Sequence, residues 1–318
     1  MSHTNIYPIT LPVQSSLKSY QCYLVQHEGK NLLIDAGVNR NDYWKKFCQT
    51  MDALQLRMEA LDAIILTHHH ADHIGFVNRL RKFHDVPVFA HERAFSRLKR
   101  DEQVLKERIA FFDRLYKSMG CGEEATEQIT RMHDALVQNK NQAIEGEIIP
   151  IEEGVAFGDF SALEVPGHAL DHIVLYDEKD GILFGGDMVI AHSSTNALID
   201  IGKDGNRSLS LIQYEQSLQR LRELSLQVIY AGHGEVINNP LEVIEQKQSR
   251  IRQKGEKIYS FVKGRRTAAH IAQEIYRSKY DSLFPLVMSE VIGHLDRLVY
   301  LDKLSVTFDN GVYYYEKI

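Results

Sequence analysis

The segment that most restricts this chain is Thr67-His68-His69-His70-Ala71-Asp72-His73-Ile74-Gly75, which follows directly on the apolar run LDAIIL. It puts four histidines and one carboxylate within six residues. A strand ending here leaves His68 and His70 on a tight turn, while Asp72 and His73 open the next helix. Such a bend can aim the side chains into two adjacent clusters. Imidazole and carboxylate are the ligands of zinc and of similar divalent metals. Taken alone, the stretch also suits a solvated, histidine-rich turn.

Three later segments share one syntax, a strand ending in a small-residue turn that carries one potential ligand: Pro166-Gly167-His168, Gly185-Gly186-Asp187 and Ala231-Gly232-His233. Glycine beside a ligand lets the backbone turn sharply and approach an ion closely. Each segment by itself is an ordinary polar turn; together, and in this order, they point to one metal site.

The rest of the chain is organised around these turns. Its 318 residues suffice for about two domains. With 44% apolar and 25% charged residues, it is globular rather than disordered. From residue 5 to about 90, and again from 147 to 233, short β-branched runs alternate with turn signals and helix-like stretches, the latter around 41–56 and 74–84 in the first half. These halves are expected to form one sheet domain, residues 1–240. Between them, 92–141 carries apolar residues from Phe95 to Met119 at steps of three and four, broken only at Glu102, then Gly120-Cys121-Gly122 and a second, shorter helix. This predicts a helical hairpin inserted in the sheet domain, serving as a packing layer, a cap over a site or a dimer seam. Residues 241–318 read as a long helix, two more helices and a hairpin at Asp309-Asn310-Gly311, the outline of a small winged-helix-like domain. From 255 to 318 nine Lys/Arg face eight Asp/Glu without a basic stripe, which argues for a structural or dimerising use over nucleic-acid contact.

No apolar run approaches the length of a membrane span, and the amino terminus lacks the pattern of a secretion signal, so no membrane partner and a cytoplasmic location are expected. Cys22, Cys48 and Cys121 are few and scattered, as reduced thiols are. The net charge of −6 gives no overall pull toward polyanions.

The set of motifs resembles the metallo-β-lactamase superfamily, with its His-x-His-x-Asp-His, a later His, a later Asp and a final His, over roughly residues 5–240. The resemblance implies an αββα sandwich with a dinuclear site at one edge. It implies His68, His70 and His168 on the first metal, Asp72, His73 and His233 on the second, and Asp187 between them. Zinc is the expected ion, with iron or manganese as alternatives. It also implies a supporting role for Asp35, and it makes His192 and Asn196, in the loop after Asp187, candidates for substrate contact. His69 is expected to point away from the metals, and His172 to hydrogen-bond near the site rather than ligate. A metal-bridging hydroxide would be the nucleophile, with Asp72 as the catalytic acid-base group.

The fold hosts several chemistries. Without an export signal, a flavodoxin-like domain or long nuclease inserts, the remaining expectation is hydrolysis of a small thioester or lactone, with the hairpin as an apolar wall. The carboxy-terminal outline is similar to lactamase-β-like 2 endoribonucleases, which makes single-stranded RNA the alternative substrate. A non-catalytic metal- or ligand-binding module is the third possibility, and a homodimer is allowed.

Overall fold

A computed structural model describes residues 4–193, 197–202 and 204–318. Two sheets make the body of the molecule. The first runs in the order β1 (Asn5–Pro12), β2 (Ser19–His27), β3 (Lys30–Ile34), β4 (Ala63–Ile65), β5 (Val88–His91), β6 (Ile149–Ile151). Its first three strands are antiparallel, and β3 through β6 are parallel. In the second sheet β7 (Ala156–Phe157), β8 (Phe160–Glu164), β9 (Ile173–Asp177) and β10 (Ile182–Gly186) form an antiparallel meander, and β11 (Val228–Ala231) adds in parallel to β10. The turn signal Glu178-Lys179-Asp180-Gly181 lies between β9 and β10 as expected, with Gly181 at φ 66°.

Successive side chains of a strand face opposite ways, so strands apolar at every position need cover on both faces. In β2, Tyr23 and Val25 point between the sheets, whereas Cys22 and Leu24 point outward. The same split puts Leu32, Ile34, Ala63 and Ile65 inside and Leu33 and Ile64 outside. From the other sheet Phe160, Ala162, Ile173, Leu175 and Phe184 complete the inner layer. The outer face of the first sheet is covered by Tyr43, Phe47 and Met51 of the helix Asn41–Ala53. The second sheet is covered by Leu211, Tyr214, Leu218 and Leu221 of the helix Ser210–Arg222 and by Val243, Ile244 and Ile251 of the helix Pro240–Phe261. This is the expected four-layer αββα sandwich. The expected helix around 74–84 is instead two single turns, Ala71–Ile74 and Val77–Leu80.

The inserted hairpin is built from the helices Glu102–Ser118 and Glu123–Gln138. The periodic run starting at Phe95 does not form one helix. Arg100 takes φ 54°, and the Asp101 carboxylate accepts from the backbone N–H of Gln103 and Val104, so a new helix starts there. The apolar face of the hairpin packs against the carboxy-terminal elements: the helices Ala268–Tyr276 and Phe284–Tyr300, then β12 (Leu304–Asp309) paired with β13 (Val312–Lys317). Tyr116 meets Phe284 with ring centroids 4.9 Å apart, and the Ala269 N–H donates to the Met119 carbonyl at 3.1 Å. Ile258 and Val262 join this same core, so the helix Pro240–Phe261 spans from the sandwich to the hairpin's support.

Cys22 is buried and, like Cys48 and Cys121, forms no disulfide; burial pushes the Cys22 thiol up to about 12. Among the described residues no helix is long and apolar enough to cross a membrane.

Candidate metal centre

Strand ends from both sheets converge at one edge of the sandwich. β4 delivers His68, His70, Asp72 and His73; β8, β10 and β11 deliver His168, Asp187 and His233. The two sheets are tied together at this edge, since the Tyr23 hydroxyl donates to the Ala231 carbonyl at 2.5 Å and the Gln21 N–H to the Gly232 carbonyl at 3.0 Å.

All seven side chains come together. One donor from each of His68, His70 and His168 lies within 4.8 Å of the others, and the same holds for His68, His73 and Asp187 and for Asp72, His73 and His233. His70 Nδ1 lies 2.9 Å from His68 Nε2 and 3.0 Å from His168 Nε2. That is near the roughly 3.3 Å separating two nitrogens of a tetrahedral site with bonds of about 2.0–2.1 Å. Asp187 Oδ2 is 3.6 Å from His168 and 3.2 Å from His233, while Oδ1 is 3.3 Å from His73 Nε2. The aspartate thus reaches both clusters. Asp72 Oδ2 stands 3.5 Å from His233 Nε2.

The donor set fits divalent metal ions. His73 Nε2, His233 Nε2 and Asp187 Oδ1 are buried and have no hydrogen-bond partner, which is costly unless something else satisfies them. Gly232 keeps the space open, because a Cβ there would stand 2.6 Å from Asp187 Oδ1 and 2.7 Å from His73 Cε1.

The outer nitrogens are held from behind. His73 Nδ1 donates to Asp35 Oδ2 at 2.7 Å, and His233 Nδ1 donates to the Ser19 carbonyl at 2.7 Å. His68 Nδ1 lies 3.0 Å from Thr67 Oγ1, which donates to Asp35 at 2.9 Å. Such partners fix the tautomer and turn the opposite nitrogen toward the centre. Asp35 itself takes φ 58° and also accepts the Thr67 N–H at 2.8 Å, so one strained carboxylate organises the whole turn.

The electrostatics agree with a cation-binding centre. Burial first, then the crowding of neighbouring imidazoles, holds His68 and His70 well below the ordinary histidine range, so both are neutral and free to ligate. Burial alone would lower His73, but Asp35 and Asp187 outweigh it and raise this histidine. Burial alone would raise Asp187, but His73 and His233 keep it well below the usual carboxylate range.

His172 stays outside the cluster. It accepts the Asp187 N–H at 3.0 Å, and burial, then His168, brings it down to about 3. His69 turns to Asp171, which accepts from its backbone N–H at 2.8 Å and pairs with its Nδ1 at 2.7 Å. His192 Nε2 faces the Ser16 carbonyl at 3.0 Å, and its ring packs where a Cβ on Gly234 would fall. It is not among the residues lining the cavity beside His70 and His168. Asn196 lies outside the described residues.

That cavity, about 740 Å³, opens beside His69, His70 and His168. The hairpin does form one wall: here Val104 shares it with Arg108, and Arg93 and Arg97 from the preceding turns complete it, while in an adjoining space beside His69 and His70 it presents Leu105, Ile109, Met132 and Leu136, so the expected apolar wall is present but interrupted by arginines. Sequence reasoning passed over these arginines and Asp171. The basic spacing of Arg93, Arg97, Arg100 and Arg108 was the available signal, overshadowed by the apolar stripe on the same segment.

The comparisons follow the geometry. The sequence profile described as the metallo-beta-lactamase superfamily matches residues 17–233. The chain is 27% identical to a protein of Bacillus subtilis named probable metallo-hydrolase YqjP, over 99% of each chain. It is 26% identical to the beta-lactamase-like protein 2 homolog of Drosophila melanogaster, over 96% of this chain and 91% of that one. The hydroxyacylglutathione hydrolase of Bdellovibrio bacteriovorus is 29% identical over 58% of this chain and 53% of its own. A crystal structure of a metallo-beta-lactamase family protein from Thermus thermophilus superposes with a TM-score of 0.78 at 24% identity, covering 98% of each chain. Strand-end donors, sandwich and profile agree: this chain belongs to the metallo-beta-lactamase superfamily.

Proposed function

We propose that this protein is a dinuclear metal-dependent hydrolase of a small ester-like substrate, a thioester or a lactone, working in the cytoplasm. The observation that carries the proposal is the trio of buried atoms without a hydrogen bond, His73 Nε2, His233 Nε2 and Asp187 Oδ1, surrounded by four further donor residues. His68, His70 and His168 would hold one ion, Asp72, His73 and His233 the other, with Asp187 shared. Zinc suits a set of imidazoles and carboxylates, though iron and manganese accept the same ligands. Two such ions supply a hydroxide nucleophile at neutral pH and polarise an ester carbonyl.

The chain's own groups then have separate tasks. Asp35, Thr67 and the Ser19 carbonyl keep three imidazoles in the tautomer that presents its free nitrogen inward. Asp72, the least buried of the seven along with His70, has a carboxylate oxygen free to accept a proton from the nucleophile and return it to the departing thiol or alcohol. The cavity beside His70 and His168 has the volume to exclude water around a substrate of modest size. The similarity to a metallo-hydrolase supports hydrolysis, and that to a hydroxyacylglutathione hydrolase supports an ester-like substrate.

The test is metal analysis of freshly purified protein followed by turnover of thioesters, lactones, phosphodiesters and single-stranded RNA, with and without chelator. Chelator-sensitive turnover of a thioester or lactone is expected. Asp72→Ala and His70→Ala should each lower bound metal and cut the rate by more than about a hundredfold. Full activity in either variant with metal absent sinks the proposal, and cleavage of RNA alone transfers it to the endoribonuclease alternative.

A further inference from the structure

Taking the hydrolase reading above as given, we infer that the substrate carries a carboxylate or phosphate on its non-reacting portion, seated by Arg93, Arg97 and Arg108. The three guanidinium groups line the same cavity as His70 and His168, and Arg97 and Arg108 also line an adjoining space of about 230 Å³ that reaches His69 and His70. A molecule with its ester at the donor cluster would extend along these side chains.

Among the described residues lining this cavity, Arg93, Arg97, Arg108 and Arg207 stand with Asp171, Asp200 and Asp204, and their hydrogen bonds are unevenly shared. Asp200 accepts from Arg97 at 2.8 Å and from Arg108 Nε at 2.8 Å, so one carboxylate stands against two guanidinium groups. Among the described residues Arg93 donates to the Leu170 carbonyl at 3.3 Å, and its Nε is buried without a hydrogen bond. Of the other described charged groups lining the cavity, Arg207 is held by Asp296 through bonds of 2.9 and 2.6 Å, Asp171 accepts from the His69 backbone N–H and pairs with its Nδ1, and Asp204 stands at the rim.

A buried guanidinium nitrogen without a partner is costly unless an acceptor meets it, and the planar fork of arginine suits the paired oxygens of a carboxylate or phosphate. Because Asp200 orients Arg97 and Arg108 beforehand, little side-chain freedom remains to be lost when the anion binds. Arg93, Arg97 and Arg108 are thus specificity-determining residues, not members of the reacting centre.

The experiment uses metal-loaded protein and thioethers that cannot be hydrolysed, so that binding is read without turnover. S-hexylglutathione is compared with its diethyl ester, and S-hexyl coenzyme A with phosphate-free S-hexylpantetheine; the first pair reports carboxylate and the second phosphate. At least one anionic member should bind tenfold or more tighter by calorimetry than its counterpart lacking the carboxylates or phosphates. Arg93→Gln and Arg97→Gln should each reduce that preference by about tenfold to a hundredfold, the scale of one charge-assisted hydrogen bond. Bound metal should not change. Equal binding within both pairs overturns the inference, as does a preference that survives in both variants. Salt-dependent binding of an oligouridylate, lost in the variants while all thioethers bind alike, overturns it in favour of a nucleic-acid groove. A charge preference without turnover of any ester would uphold the anion site and overturn only the hydrolase reading.

Discussion

Asp35 shows how much of the centre rests on one carboxylate. It receives hydrogen bonds from the Thr67 N–H, the Thr67 hydroxyl and His73 Nδ1, and so sets the turn that carries four of the seven donors. In Asp35→Asn, with the amide oxygen kept on the Thr67 N–H, the NH2 group faces His73 Nδ1 and forces the opposite tautomer. His73 Nε2 then carries a hydrogen toward the centre and cannot ligate. Metal affinity should fall about tenfold to a hundredfold while circular dichroism stays native, measured by competition with a chromogenic chelator. At this scale the sequence was readable wherever a donor of the cluster stood at the end of a strand beside glycine, as His168, Asp187 and His233 do. It was silent where the partner is a backbone carbonyl or comes from a distant segment: the Ser19 carbonyl behind His233 and Asp171 behind His69 carry no local signature.

Among the elements, the strands were the most legible, because residues apolar on both faces leave few alternatives to a doubly covered sheet. The hairpin was legible as helical but not in its breaks. Apolar spacing from Phe95 to Met119 fits one helix, yet the Asp101 side chain offers the N–H groups of Gln103 and Val104 a better partner than helix continuation does. Asp101→Ala removes that cap and should cost about 1 kcal/mol, seen as a lower urea midpoint with an unchanged slope. Since Val104 and Arg108 of the same helix line the cavity, the variant should also weaken binding of charged thioethers more than it lowers bound metal.

Across the whole molecule, Asp200 joins the loop after β10 to the hairpin through Arg97 and Arg108. Burial alone would raise its carboxyl, but Arg108 and Arg97 outweigh that and hold it well below the usual carboxylate range. A carboxyl lowered in the folded state adds stability that is complete above its unfolded value, about 3.9, and is lost as pH falls through the folded value. The stability gap between the natural protein and Asp200→Asn should therefore be full at pH 7 and narrow below about pH 4, as urea midpoints at several pH values would record. How the hairpin would be supported was not visible in the sequence, because its apolar stripe could have met the sandwich, a second chain or the carboxy-terminal helices with equal chemical logic.

Phe112, Leu115 and Tyr116 of the hairpin pack against Ile271, Phe284 and Leu295. His233, the last of the seven donors, comes before every one of these carboxy-terminal partners in the chain. The residues that could grip a cation and the residues that back the arginine-lined wall are thus written in separate stretches, so changes in the carboxy-terminal stretch can reshape the wall without touching a single donor.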